Sequence, residues 1–184
     1  VGVGIQGITV PLRDGMTVAT NLNFVAGDLN QLTGLKGDSL TKYIGTGLIG
    51  TDTAQDDFSV SVYISTAHTS GSGWFIGDSV PRIGLRSVAT QWANSGSISL
   101  GTAPAPGLYG VSRSDSANVS TRSNATNYSG ASASVAQHTS AIQVFARSSP
   151  STNARLATYH AGPALNLATL EGLQDTLITE IAAI

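Results

Sequence analysis

Asp52, Asp56 and Asp57 gather within "TDTAQDDF", just ahead of a strand pattern, and are the candidate metal ligands of this chain. Hard carboxylate oxygens on a loop suit Ca2+, although no EF-hand spacing accompanies them. The alternative for all three is an ordinary role in turns. Acid–base hydrolysis of a sugar needs two carboxylates facing one cleft. The only glutamates are Glu171 and Glu180, both in the C-terminal segment, and no strand carries carboxylates at alternate positions. His68, His138 and His160 lack the i, i+4 spacing of a helical zinc site. Serines are abundant, but no G-x-S-x-G elbow presents one as a nucleophile. Two G-x-G-x-x-G matches occur, at Gly2-Gly4-Gly7 and Gly45-Gly47-Gly50. A nucleotide fingerprint needs a strand before it and a helix after it. The first match starts at Val1 and runs into a strand pattern; the second runs into an apparent loop, so turn roles are expected. No catalytic residue is assigned, and calcium is the one cofactor considered.

Aromatic side chains offer a different chemistry, stacking on a sugar ring or on a neighbouring subunit. Trp74, Trp92, Tyr109 and Tyr128 are the candidates. Trp74 and Phe75 are adjacent, so on a regular strand one of them faces outward. The sequons at Asn118, Asn124 and Asn127 are expected by chance in so Ser/Thr/Asn-rich a sequence.

These residues need a scaffold, and the composition points to a β protein. Charged residues make up 11% of the 184, against roughly 25% in typical soluble domains, while apolar residues are plentiful at 41%. That combination describes a folded chain with a neutral, hydroxyl-rich surface. A net charge of −2 with no basic run argues against nucleic-acid binding. No apolar run is long enough to span a bilayer as a helix, and no signal-peptide pattern opens the chain. A chain beginning at Val1 implies loss of an initiator Met or excision from something longer. With no cysteine there are no disulfides or thiolate sites.

"FSVSVYIST" (58–66) is the clearest strand, with Phe58, Val60, Val62 and Ile64 on one face. Shorter strand patterns occupy 73–78, 81–87, 97–101, 107–113, 117–123, 141–147 and 154–160, separated by Gly, Pro, Ser, Asn and Asp. Close-set short strands argue for a sandwich or barrel. Residues 112–140, poor in large apolar side chains, read as long hairpins or loops. Near the start, "ITVPLRDGMTVAT" (8–20) reads as a hairpin turning at Asp14-Gly15, with Pro11 at an edge or bulge.

The chain ends in a helix pattern, predicted over 167–183 with Asn166 as N-cap. Leu167, Leu170, Leu173, Leu177, Ile178, Ile181 and Ile184 fall in an arc of about 140°, interrupted only by Gln174. Gly172 costs about 1 kcal/mol relative to Ala, which the apolar stripe outweighs once buried. Leu170, Leu173, Leu177 and Ile181 form the candidate packing face. Either the sandwich's own flank or another copy of the helix would cover it.

The ending "NARLATYHAGPALNLATLEGLQDTLITEIAAI" resembles the last strand and Leu-rich terminal helix of structural proteins from tailed bacteriophages. "NFVAGDLNQLTGLKGDSLTKYIGTG" (23–47) resembles the start of their concanavalin A-like, laminin G-like jelly rolls, where a "GLKG…KY" stretch precedes a strand like "FSVSVYIST". "GLYGVSRS" (107–114) and "AIQVFARSS" (141–149) are similar to later strands of that pattern. The resemblance covers roughly 22–184 and implies an all-β, antiparallel two-sheet jelly-roll sandwich with one short C-terminal α-helix. Residues 1–21 would be an N-terminal hairpin or connecting segment. It also implies a virion protein, in capsid decoration or in the tail or its fibres. Its partners would be other virion proteins and copies of itself. It transfers no sugar site, since no binding residue matches position by position. The resulting expectation is a non-enzymatic virion component acting through subunit contacts. A carbohydrate-binding receptor module is the alternative, with host-surface glycan as partner, and a sandwich-fold glycoside hydrolase the third reading.

Overall fold

In a computed structural model the chain is an antiparallel two-sheet sandwich with one α-helix at its C-terminal end. The structure describes residues 19–69, 72–80, 83–87, 90–94, 98–99, 105–147 and 152–183. The hairpin expected around Asp14-Gly15, and with it Pro11, lies outside these residues.

Sheet A runs β1 (Thr20–Leu22), β4 (Tyr43–Ile49), β13 (Ala141–Val144), β6 (Trp74–Gly77), β7 (Ile83–Arg86), β8 (Thr90–Ala93) and β9 (Ile98–Ser99). Sheet B runs β12 (Thr126–Ala131), β11 (Asn118–Ser123), β10 (Gly107–Arg113), β5 (Phe58–Thr66), β14 (Arg155–Gly162), β3 (Gly34–Lys36) and β2 (Leu29–Asn30). Thr20 and Asn21 pair with Ile44 and Gly45, so the sandwich begins before the boundary set at residue 22.

β5 sits at the centre of sheet B, between β10 and β14. Its alternation places Phe58, Val60, Val62 and Ile64 in the core, each at most 1% exposed. Ser59 and Ser61, on the opposite face, are buried as well. The connection from β14 to the helix, and the start of the helix itself, lie over that side.

Between the sheets, Phe24 meets Phe145 at 5.1 Å, and Phe75 meets Tyr109 edge-on at 6.1 Å. Arg113 is fully buried among these apolar groups. Its guanidinium donates to the carbonyls of Ala93 (2.7 Å), Asp115 (3.0 Å), Asn118 (3.2 Å) and Ser132 (2.8 Å), so a buried cation is tolerated because its donors are satisfied. It ties β8 of sheet A to the β10–β11 turn and the end of β12 in sheet B.

The strand patterns read from sequence do not include β2, β3, β4, β8 or β12. In β4, Gly45 and Gly47 interrupt the apolar alternation although Ile44 and Thr46 point inward and are buried. The second G-x-G-x-x-G match is thus largely a strand, with Gly50 opening a 3-10 turn and no α-helix after it. The β11–β12 hairpin closes through Asn124 and Ala125, both at positive φ (42° and 65°), in a two-residue loop. The region 112–140 therefore contains a regular hairpin whose strands are short in large apolar residues because they lie at the sheet's edge.

Candidate functional site

The helix α1 spans Leu167–Ala182, and Asn166 Oδ1 accepts from the amides of Ala168 (2.9 Å) and Thr169 (3.1 Å), as an N-cap should. Its apolar stripe, however, does not lie flat on the sandwich. Leu167, Glu171 and Gln174 are buried against sheet B and Ile178 half-buried, a row at i, i+4, i+7 and i+11. Leu173, Leu177 and Ile181 are 65%, 46% and 36% exposed, with Leu170 half-buried between the two rows. Of the two covers considered for Leu170, Leu173, Leu177 and Ile181, the sandwich's own flank does not cover the last three.

Polar contacts set this rotation. Glu171 is paired with the Arg122 guanidinium of β11 and accepts from the amide of Ala125 at 3.1 Å. It thereby holds the left-handed turn of the β11–β12 hairpin. Tyr63 of β5 donates to Asp175 at 2.8 Å; burial first, and then this hydrogen bond, push its hydroxyl up to about 12. Leu167 has room because β10 carries Gly110 beneath it. A Cβ there would stand 3.0 Å from Leu167 Cδ2 and 2.8 Å from Ser61 Cβ.

The other outer face, that of sheet A, carries the two tryptophans. A bulge in β6 pairs Trp74 with Arg86 and Ile76 with Leu85. Phe75 and Ile76 consequently both enter the core while Trp74 and Gly77 face out. Trp74 stacks on Trp92 at 4.9 Å and 28°. A Cβ on Gly84 would stand only 2.5 Å from Trp74 Cζ3, so the indole occupies space that any side chain at 84 would need. Two guanidinium carbons lie over the Trp74 ring, Arg147 at 4.8 Å and Arg86 at 5.3 Å. Arg147 donates to the carbonyls of Asp78 (3.1 Å) and Ser79 (3.2 Å), and Arg86 Nη2 donates to Ser72 Oγ. Arg86 Nε is buried with no hydrogen-bond partner. The aromatics were legible in sequence; the arginines were not singled out, although hairpin pairing sets Arg86 opposite Trp74.

The remaining candidates separate. Tyr109 is fully buried in the core, its hydroxyl pushed upward in pKa by burial, and offers no contact surface. Tyr128, on edge strand β12, packs partly against the core and borders a groove with Ser112, Ser120, Asn127 and Ser129. The three aspartates do not form a cation site. Asp52 Oδ2 accepts from the Ile49 amide (2.8 Å) and Asp57 Oδ1 from the Ala164 amide (2.7 Å), while Asp56 Oδ1 is buried without a hydrogen-bond partner. Among the described residues no three His, Cys, Asp or Glu converge as metal ligands. Neighbours in sequence, Asp52 and Asp57 are spent separately on backbone amides, and Asp56 joins neither.

Two Ser–His contacts occur among the described residues: Ser140 Oγ lies 2.6 Å from His138 Nδ1, two positions away in the same loop, and the other pair is long-range. Ser59 Oγ lies 3.0 Å from His160 Nε2 and donates to the Pro163 carbonyl at 2.7 Å. With its only proton committed there, Ser59 accepts from Nε2–H, and His160 has no lone pair on that atom to act as base. Ser59 is also inaccessible, and burial lowers the His160 pKa. The pair is a structural contact beneath the β14–α1 connection. No protein-family model, curated protein or solved structure matches this chain.

Proposed function

We propose that this chain is a non-enzymatic structural component of a tailed-bacteriophage virion that works through contacts with copies of itself and with other virion proteins. The observation that carries the reading is the solvent-facing row of Leu173, Leu177 and Ile181 on α1. Exposing three aliphatics in one row has a solvation cost that burial against another subunit removes, at about 1.5–3 kcal/mol for each side chain fully covered. The helix is anchored through polar contacts on its opposite side, so the row stays available for a partner. The motif resemblance supplies the virion context, and the low-charge, hydroxyl-rich sequence suits wet contacts around an apolar centre. Antibody raised against this chain, applied to purified tailed-phage particles under the electron microscope, is expected to label them at regular positions. Particles that carry none of the chain would refute the virion assignment.

A second reading, recognition of host-surface glycan, is favoured by a separate observation: Trp74 and Trp92 stacked on the outer face of sheet A beside two guanidinium groups. Indole faces and Arg donors suit a pyranose ring and its polar substituents. Virion anchoring through α1 and glycan recognition through sheet A use opposite sides of the sandwich and are compatible.

A further inference from the structure

We propose that the Trp74–Trp92–Arg86–Arg147 cluster is a binding site for an acidic polysaccharide, with a sugar carboxylate held by the two guanidinium groups. The inference deepens the glycan reading and is independent of the row on α1.

Charge is the first argument. Both guanidinium groups sit over one indole, and neither is within ion-pair distance of a carboxylate among the described residues. Of the other described cations, Lys42 and Arg122 have acidic partners, Asp28 and Glu171, and Arg113 and Arg155 spend their donors on backbone carbonyls. Arg86 and Arg147 differ in sharing one indole face. In a chain of net charge −2, two adjacent cations left unneutralised on one face call for an anion from outside.

Geometry is the second. Arg147 directs Nε and Nη2 to backbone carbonyls, which fixes the plane of the group, and Nη1 makes no hydrogen bond among the described residues. Arg86 spends Nη2 on Ser72 Oγ, while its Nε is buried and unpartnered. An unpaired buried donor is costly. Nε becomes available to a carboxylate oxygen only if the Arg86 side chain shifts on binding, whereas Arg147 Nη1 needs no such shift to be offered. Planar oxyanions suit Arg forks because two parallel N–H···O bonds form at once.

The third argument selects sugar over protein. A protein partner would be expected to meet exposed aliphatic anchors, and among the described residues the exposed large hydrophobics lie at Val25, Leu32, Leu40 and on α1. None belongs to β6, β7, β8 or β13. What surrounds the cluster is hydroxyl-bearing: Ser72 beside Arg86, and Ser79 donating to Ser140 at 2.7 Å near Arg147. Trp92 is itself only 9% exposed, so the aromatic surface offered is the half-buried Trp74 indole; set among hydroxyls and guanidinium groups, it fits a sugar acid better than a peptide side chain.

The chain's two tryptophans are both in the cluster, so intrinsic fluorescence reads this site alone. The intact chain is titrated with polygalacturonate, with neutral dextran and galactan, and with poly-glutamate. The expected result is a fluorescence change with polygalacturonate that weakens as salt rises, absent with the neutral polymers and at least about tenfold weaker with poly-glutamate. Arg86→Gln and Arg147→Gln should each weaken polygalacturonate binding about tenfold. Unchanged thermal midpoints in both variants would show that the fold is kept. A Trp74→Phe variant retains a ring over the glycines and is expected to bind with intermediate strength. Equal response to neutral glycans overturns the acidic specificity while the glycan reading survives. Equal or stronger response to poly-glutamate makes this a protein-docking surface and overturns the proposal. No response to any polysaccharide overturns both the proposal and the glycan reading.

Discussion

The two outer faces of this sandwich are built on the same device and end differently. Each has a glycine cut into its centre, Gly110 in sheet B and Gly84 in sheet A, and each glycine makes room for a large side chain above it. On sheet B that side chain is Leu167, the first residue of the chain's own helix, and an ion pair and a tyrosine hydrogen bond fasten the rest. On sheet A it is Trp74, stacked with Trp92 and overlaid by arginines that have no acidic partner among the described residues. Under its roof, sheet B has Arg122 neutralised by the chain's own Glu171, whereas the arginines over Trp74 keep their charge. On the reading proposed above, sheet A is the recognition face and the free side of the sheet B helix the assembly face.

The heaviest blow to the comparison strikes what both faces share. Arg113→Met removes the donors that satisfy carbonyls of β8, the β10–β11 turn and the end of β12, leaving buried acceptors orphaned. A loss of roughly 3–5 kcal/mol is expected, read as a lower urea midpoint with helix and tryptophan signals failing together. If the two signals separate, the faces do not share one cooperative core.

Glu171→Gln should act on one face alone. It breaks the pair with Arg122 and weakens the hold on Ala125, at a cost of roughly 2 kcal/mol or more given how little of the pair is solvated. Hydrogen exchange is expected to speed up across 167–182 while β6, β7 and β13 keep their protection.

The two glycines allow a matched test. Gly84→Ala forces Trp74 aside and should alter tryptophan emission with about 1–3 kcal/mol of destabilisation, leaving exchange in α1 unchanged. Gly110→Ala presses on Ser61 and Leu167 and should do the reverse, loosening α1 without moving the tryptophan spectrum.

The smallest effect is a pH dependence confined to sheet B. Burial lowers the His160 pKa from its ordinary 6.5, so the unfolded chain takes up this proton before the folded one. Its contribution is complete above about pH 6.5 and is lost as pH falls below that value. Thermal midpoints of the native chain should therefore fall from pH 7 towards pH 5 more steeply than those of His160→Gln. Parallel curves would show that His160 does not titrate as described.

Much of the scaffold could be read from residue order. β5 follows a period-two pattern over its length, β10 is a short apolar run bounded by turn residues, and Asn166 marks the helix start. These features are local, and local physics decides them. Strand β4 escaped because Gly45 and Gly47 erase the alternation that Ile44 and Thr46 carry, and β12 because an edge strand buries little. Which of Trp74 and Phe75 faces out depends on a bulge registered against β7, which no window of sequence contains. The helix misled most. Its apolar stripe suggested burial of Leu173 and Leu177, yet Arg122, 49 positions before Glu171, sets the rotation and turns them to solvent. Asp52, Asp56 and Asp57 failed as a cluster for a related reason, since adjacency in sequence does not make carboxylates converge.

The central claim, that the chain works by assembling through the free row of α1, is tested most directly by its mass in solution. Light scattering coupled to size-exclusion chromatography, on the native chain and on Leu177→Asp, is the measurement. The account predicts a stable oligomer for the native chain and a folded monomer, with an unchanged thermal midpoint for the sandwich, for the variant. A native chain that stays monomeric at high concentration, or a variant that assembles as well as the native chain, would contradict it.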